Sequence, residues 1–180
     1  SRSMHQITYP LTAKILNDQD LPALKRLYQR TSLTLFVVAG LLFILILSNL
    51  DDLYRLLPEP YRKGYFIFIW LGLAKLFDAV MGNNNAILYN SDYYRSVLVM
   101  GIFLALFTVL FNLWLIPTFG LDGAAIASFL AFFLYNAIKL IFVKWRFGLL
   151  PFTFNTVKIM ALLMFVGYLF YNVHFPFHPF

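Results

Sequence analysis

Long apolar stretches separated by short polar connections fill most of this chain after residue 32. Five of these stretches are long enough to cross a bilayer as α-helices. They cover approximately residues 33–50, 65–85, 96–116, 121–143 and 156–173. Helix-breaking residues such as Pro58 and Pro151 fall between the stretches. The pattern predicts an all-α fold, a polytopic membrane helix bundle with about five transmembrane helices.

The segment before the first stretch is the most polar part of the chain. Asp20 stands where it can cap a helix whose first turn holds Pro22. Leucines and Tyr28 then share one helix face while basic residues turn away, a pattern typical of a short helix lying on the membrane surface. We therefore divide the chain into a partial helix and amphipathic cytoplasmic linker (1–32), a five-helix transmembrane bundle (33–173) and a periplasmic tail (174–180) that we expect to be truncated.

Composition supports the membrane interpretation and excludes several others. The chain is 61% hydrophobic and 12% charged, whereas soluble domains average about 45–50% apolar and about 25% charged residues. A net charge of +6 suits nucleic acid or an anionic membrane. Because the basic residues stand at the ends of the stretches, we expect a membrane and no nucleic acid. The chain has no cysteine, which excludes disulfides, thiolate metal sites and thiol catalysis.

Lysines and arginines are distributed unequally between the two sides of the predicted bundle. One side carries most of them, including Lys25, Arg95 and Lys144, and the other side mixes its few with acidic residues such as Glu59. Connections rich in lysine and arginine stay in the cytoplasm. The sequence therefore predicts a multi-pass protein with Asp18 and Arg95 on the cytoplasmic side and Glu59 on the other.

Two charged residues lie near the middle of the second stretch. Lys75 and Asp78 are costly in hydrocarbon, so we expect them to face a protein interior or a wet cavity. At helical spacing they share a face with Gly82, Asn85 and Tyr89. This face predicts the wall of a hydrated cavity, in which Lys75 presents a cation to an anionic substrate. In the alternative interpretation, Lys75 and Asp78 pair with each other and only lock helices together.

Further polar residues stand near the predicted cytoplasmic ends of the stretches. Asn84 and Asn85 belong to an amide-rich cluster that can contact sugar hydroxyls, although such clusters are also typical of solvated helix ends. Lys139 interrupts an apolar run, and the alternative to substrate contact is that its ammonium snorkels to the membrane surface. The candidate substrate-binding residues are therefore Lys75, Asp78, Asn84, Asn85 and Lys139.

The start of the fourth stretch is rich in small residues. Two rows recur at a spacing of four, Gly120, Ala124 and Ser128 in one and Gly123, Ala127 and Ala131 in the other. Such rows let two helix backbones approach closely in lipid, so we predict a packing surface and not a ligand site. The connection before the stretch, with Pro117 and Gly120, is only a few residues long and predicts a tight antiparallel hairpin.

Catalytic motifs are missing from the sequence. It contains no glycine-rich phosphate loop, no nucleophile elbow and no acidic cluster of metal-binding type. The histidines are scattered, and Pro176 breaks any helix that would pair His174 with His178. We predict that the protein is not an enzyme and has no catalytic residue, cofactor or metal.

The order of these features resembles the C-terminal half of bacterial polysaccharide flippases, members of the multidrug/oligosaccharidyl-lipid/polysaccharide exporter superfamily. The resemblance covers nearly the whole chain and includes the run from Ala74 to Asp78, the asparagine-rich end of the same stretch, and Tyr93-Tyr-Arg95 before the third stretch. Its most specific piece is Pro117-Thr-Phe-Gly-Leu-Asp-Gly-Ala-Ala, which recurs across the superfamily and therefore identifies the fold better than the cargo.

The resemblance implies two helical lobes around a central cavity that opens alternately to each side. This chain would be most of the second lobe, without the N-terminal lobe and a final helix. The implied cargo is an undecaprenyl-diphosphate-linked oligosaccharide (an O-antigen, capsule or exopolysaccharide repeat unit) crossing the bacterial inner membrane. Lys75 is the basic side chain that we expect at depth, facing the diphosphate. The alternatives are a drug/cation antiporter of the same superfamily that couples ions through Asp78, and a non-transporting membrane scaffold.

Overall fold

The computed structural model describes residues 2–55 and 64–172, with the side chains of 8–55 and 64–170. Its helices are α1 (Arg2–Asn17), α2 (Leu21–Ser48), α3 (Leu50–Arg55), α4 (Tyr65–Val80), α5 (Asn84–Tyr89), α6 (Tyr94–Phe147) and α7 (Phe154–Asn172). These ranges contain no β-strand, which confirms the predicted all-α fold. Two of the helices, α2 and α6, are long and apolar enough to cross a membrane, and α7 contains a shorter apolar helix, Phe154–Phe170.

The longest helix, α6, is a hairpin of two arms, 94–119 and 121–147. Between them Gly120 has φ 58° and ψ −132°, a backbone conformation that residues with a side chain rarely adopt. The chain turns back there, because Tyr93 before the first arm meets Phe142 near the end of the second arm, with ring centroids 5.6 Å apart. The predicted hairpin is therefore confirmed.

Small residues allow close packing within this hairpin. A Cβ atom on Gly123 would collide with the backbone carbonyl of Leu115 on the first arm. The row Gly123, Ala127 and Ala131 is buried, which confirms the predicted packing surface for these positions. In the second row, Gly120 is exposed and Ala124 and Ser128 are half-buried, so a packing surface is not confirmed there. The two rows lie on neighbouring faces of one arm, and the face with Gly123 is the more buried one.

The helices pack side by side. α2 lies between α7 and α4, and α4 lies between α2 and α6. Stacked rings join α2 to α4, with the centroids of Phe43 and Phe68 6.0 Å apart. α4 in turn contacts the second arm of α6, where the rings of Trp70 and Phe129 are 5.2 Å apart.

An apolar cluster closes one end of the bundle. Its buried members come from α2, α5, both arms of α6 and the α6–α7 connection, and they are Leu24, Tyr28, Ile87, Leu88, Val97, Val143 and Leu149. The cluster brings the predicted cytoplasmic residues Arg95 and Lys144 to the same end of the bundle, next to Val97 and Val143 in sequence. Glu59 and the predicted tail 174–180 lie outside the described residues.

The predicted start of the first stretch, at residue 33, needs correction. Residues 21–30 were expected to form a separate surface helix, but they are the beginning of the 28-residue helix α2. The predicted cap is confirmed, because the Asp20 carboxylate accepts a hydrogen bond from the Ala23 N–H at 2.9 Å. No proline follows Pro22 in α2, so the backbone hydrogen bonds of the helix continue without interruption from its polar start, residues 21–30, into its apolar remainder.

The second stretch is divided, and not a single helix over 65–85 as predicted. α4 ends at Val80 and α5 begins at Asn84, with Gly82 between them at φ +58°. The Ser32 hydroxyl of α2 donates a hydrogen bond to the Val80 carbonyl at 2.5 Å. A Cβ atom on Gly82 would lie 2.7 Å from the Ser32 backbone nitrogen. The helix therefore breaks where the backbone of α2 lies directly against it, and glycine provides both the space and the conformation.

Much of the outer surface is apolar. Leu113 and Ile102 on the first arm of α6 are each 70% exposed, and Leu121 at the hairpin tip is 80% exposed. Soluble monomers rarely expose large contiguous apolar patches. Together with the two long apolar helices, this surface indicates that the protein associates with a membrane.

Candidate functional site

Polar side chains of α4, α5 and the second arm of α6 meet at one interface, which we call the polar seam (Lys75, Asp78, Asn85, Tyr135 and Lys139). Across it, Lys139 Nζ donates a hydrogen bond to Asn85 Oδ1 at 2.9 Å. The same ammonium lies 4.2 Å from the centroid of the Tyr135 ring, a cation–π contact. The Asp78 carboxylate interacts electrostatically with both Lys139 and Tyr135. Of the predicted substrate-binding residues, Asp78, Asn85 and Lys139 interact within the seam, Lys75 lies at its exposed edge against the Phe132 ring, and Asn84 adjoins it in α5.

Aromatic contacts fix the register of α4 against the second arm. The rings of Phe77 and Phe133 have centroids 4.7 Å apart, and the Lys75 ammonium lies 5.5 Å from the centroid of the Phe132 ring. Aromatic pairs of this kind contribute about 0.5–1.5 kcal/mol each beyond the apolar area that they bury. They align the charged part of α4 with the arm that carries Lys139.

Among the described residues Lys139 is the buried cation, with only 1% of its surface exposed. It stands on the inward face of the second arm, together with Asn136 and Val143. The snorkelling interpretation is therefore wrong, because the side chain turns into the bundle and its ammonium is held by an amide oxygen and a ring face. A buried ammonium requires such partners, since it has lost its water.

Lys75 is exposed, so Lys139, and not Lys75, is the most buried basic residue of the described chain. The prediction that Lys75 lines a hydrated cavity stays a prediction. Within the described residues the one ion pair joins Arg55 to Asp52 at 3.4 Å, so Lys75 and Asp78 do not form the locking pair of the alternative interpretation. The predicted continuous face is also wrong, because the break at Gly82 separates Asn85 from α4 and turns it toward Lys139.

The asparagines at the start of α5 are not a solvated helix end. Asn83 is 2% exposed and Asn84 is 1% exposed. Asn83 donates a hydrogen bond to the Thr12 hydroxyl of α1, which ties α1 to this turn. Both amide atoms of Asn84 are without a hydrogen-bond partner among the described residues. Burying an unpaired amide costs about 1–3 kcal/mol, so these atoms are available to hydrogen bonds from water or a ligand.

Sequence reasoning missed Asn136 as a member of this region. It is fully buried, and neither atom of its amide has a partner within the described part of the chain. The available signal was its position three residues before Lys139, which places the two on one helix face. A second polar residue on that face already indicated that the face is turned inward.

The side chains of the polar seam are suited to binding a polar ligand. The ammonium and amide N–H groups of the seam donate to phosphate or hydroxyl oxygens, and its amide oxygens and carboxylate accept from hydroxyl groups. No group of three or more histidine, cysteine, aspartate or glutamate side chains suited to a metal ion occurs among the described residues. Such a set can hold a phosphate or a hydroxyl group in place.

Comparison of the chain with models of protein families, with curated proteins and with solved structures finds no match. The function of the seam must therefore be inferred from its chemistry and its setting.

Proposed function

We propose that this chain is part of a membrane flippase that moves an undecaprenyl-diphosphate-linked oligosaccharide across the bacterial inner membrane by alternating access. The observation that carries the proposal is the buried ammonium of Lys139, held in a polar seam inside a bundle whose outer surface is apolar. An apolar outside matches lipid, and a polar inside matches a cargo that is itself polar.

In this proposal the chain crosses the bilayer five times, through α2, α4, the two arms of α6, and α7. α4 has 16 residues and α7 has 19, close to the lower limit of about 17 residues for a span. These crossings form one lobe, and the exposed side of the seam with Lys75 and Asp78 faces a second lobe supplied by another part of the same protein.

The cations of the seam are proposed to bind the diphosphate of the cargo. An ammonium has three N–H donors, and Lys139 uses one of them on Asn85. Attraction between an ammonium and a phosphate is several times stronger at low dielectric than in water. Lys75 adds a second positive charge at the exposed edge of the seam.

The amides of the seam are proposed to bind the sugar. Sugar hydroxyls both donate and accept hydrogen bonds, and an amide side chain does the same. Asn84 has both amide atoms unpaired within the described residues, and Asn85 lies beside the Lys139 ammonium. In this arrangement the diphosphate and the first sugar occupy neighbouring parts of one surface.

The test measures transfer of a lipid-linked oligosaccharide across proteoliposomes by the full-length protein. We expect Lys75→Gln and Lys139→Met each to lower the transfer rate about tenfold, as the loss of one charged hydrogen bond requires. Lys158→Gln is the matched control, because Lys158 is an exposed lysine on a ring face of α7, 4.9 Å from the Phe154 centroid. Unchanged transfer in both seam variants, with the protein folded, contradicts the proposal.

One observation favours a drug/cation antiporter as the second candidate. Asp78 is exposed at the seam and forms no ion pair within 4.0 Å among the described residues, so its carboxylate is accessible to a proton or a sodium ion. Asp78→Asn separates the two functions. An antiporter loses ion-coupled transport altogether, whereas a flippase that binds a diphosphate keeps its transfer or gains some, because a negative charge leaves the seam.

A further inference from the structure

A second polar cleft opens at the end of the bundle, about two helical turns along α6 from Lys139. Its volume is about 550 Å³, within the range of roughly 300–1,000 Å³ that is usual for small-molecule sites. We call it the interfacial cleft and define it by polar residues of its lining, which include Asn17, Gln19, Asp20, Asn90, Asp92 and Arg146. None of these residues belongs to the polar seam.

Arg146 is the cation of the interfacial cleft. Its guanidinium carbon lies 4.2 Å from the centroid of the Trp145 ring and 4.8 Å from that of the Tyr93 ring. These contacts orient the guanidinium without using its N–H groups. No carboxylate lies within 4.0 Å of it among the described residues. Its planar set of donors, which matches phosphate oxygens, is therefore available.

Two carboxylates line the same cleft. Asp20 uses one oxygen to cap α2 through the Ala23 N–H. Asp92 is exposed in the turn between α5 and α6. Neither carboxylate forms an ion pair within the described part of the chain. One unpaired cation and two unpaired anions in a single cleft are complementary to a ligand that carries charges of both signs.

The cleft lies at the level where the helices leave the apolar region. Trp145, beside Arg146, is 70% exposed, and Leu21 of the cleft wall is 47% exposed. Exposed tryptophan and tyrosine side chains are typical of the membrane–water boundary. A ligand in this cleft therefore has its polar part at the headgroup level, with the apolar helix surface beside it.

We propose that the interfacial cleft binds the headgroup of a phospholipid of the phosphatidylethanolamine type. Arg146 binds the phosphate, Asp92 and Asp20 bind the primary ammonium, and the acyl chains lie along the exposed apolar surface next to Trp145. The proposal needs only a membrane setting, and it holds whatever cargo the polar seam carries.

The test uses the full-length protein in nanodiscs of phosphatidylcholine, alone or with added phosphatidylethanolamine or phosphatidylglycerol. We expect phosphatidylethanolamine to raise the thermal unfolding temperature most, since only its headgroup offers both a phosphate and ammonium N–H donors. Arg146→Gln should bind phosphatidylethanolamine about tenfold more weakly in native mass spectrometry. Asp92→Asn should lose the preference for phosphatidylethanolamine over phosphatidylglycerol. Lys158→Gln, outside the cleft, should behave as the unchanged protein does.

Three results would overturn the proposal. Equal stabilisation by phosphatidylglycerol would mean a simple anion site, and equal stabilisation by phosphatidylcholine alone would mean that the ammonium protons are not recognised. A preference for phosphatidylethanolamine that survives in Asp92→Asn and in Arg146→Gln would place the lipid elsewhere. Asp92 is exposed, so its variant keeps the test decisive even where Arg146→Gln fails to fold.

Discussion

At the residue scale, losing Asn85 and losing Lys139 should cost the fold different amounts of stability, although the two residues share one hydrogen bond. Lys139→Met removes a buried charge and leaves one amide oxygen unpaired, which costs about 1–3 kcal/mol. Asn85→Leu leaves the buried ammonium without its hydrogen-bond acceptor, which is more costly because an ion loses more on burial than an amide does. We therefore expect Asn85→Leu to lower the thermal unfolding temperature in detergent more than Lys139→Met does.

The double variant checks the same interaction. Lys139→Met with Asn85→Leu removes both partners, so it should be more stable than Asn85→Leu alone. If the losses of stability in the two single variants simply add in the double variant, the bond between α5 and the second arm contributes nothing.

At the scale of elements, replacing glycine by alanine should have opposite effects on stability at two positions of α6. Gly123→Ala places a methyl group against the Leu115 carbonyl of the facing arm, and forcing the arms apart should destabilise the fold by about 1–3 kcal/mol. Gly101→Ala is the matched control, because nothing lies within 4 Å of its added methyl group. In that variant alanine should stabilise the helix by roughly 0.5–1 kcal/mol. Thermal unfolding of both variants tests the hairpin, and equal shifts would contradict the packing of its arms.

At the scale of the whole molecule, the arrangement predicts which residues share a side of the membrane. Asp18 and Arg95 lie at the end closed by the apolar cluster, and Asp52 lies beyond the far end of α2. This chain has no cysteine, so a single cysteine at each of these positions reports its side once any cysteine in the rest of the full-length protein is replaced by serine. We expect an impermeant thiol reagent to label Asp52→Cys in intact cells and to label Asp18→Cys and Arg95→Cys only after permeabilisation. Labelling of Asp18→Cys in intact cells would show that the true orientation is the opposite of the predicted one.

Features set by neighbouring residues could be predicted from the sequence. The hairpin at Gly120 and the cap at Asp20 are of this kind, because turn and capping preferences act within a few positions of the chain. Asn136 on the same helix face is a signal that Lys139 turns inward, but Lys75 shares its face with Asp78 and carries a signal of the same kind, so the sequence does not tell which lysine is buried. Their difference depends on the break at Gly82, which turns α5 so that Asn85 meets one lysine and not the other.

The bond between Asn85 and Lys139 also has a consequence for how the protein is made. A lysine inside an apolar helix opposes insertion of that helix into a bilayer, by up to about 2.5–3.5 kcal/mol where it lies at the helix centre. Asn85 precedes Lys139 by 54 residues, and a chain grows from its N-terminus. The acceptor therefore leaves the ribosome before the lysine that needs it, and we predict that the earlier helices are already in place when the second arm of α6 joins the bundle.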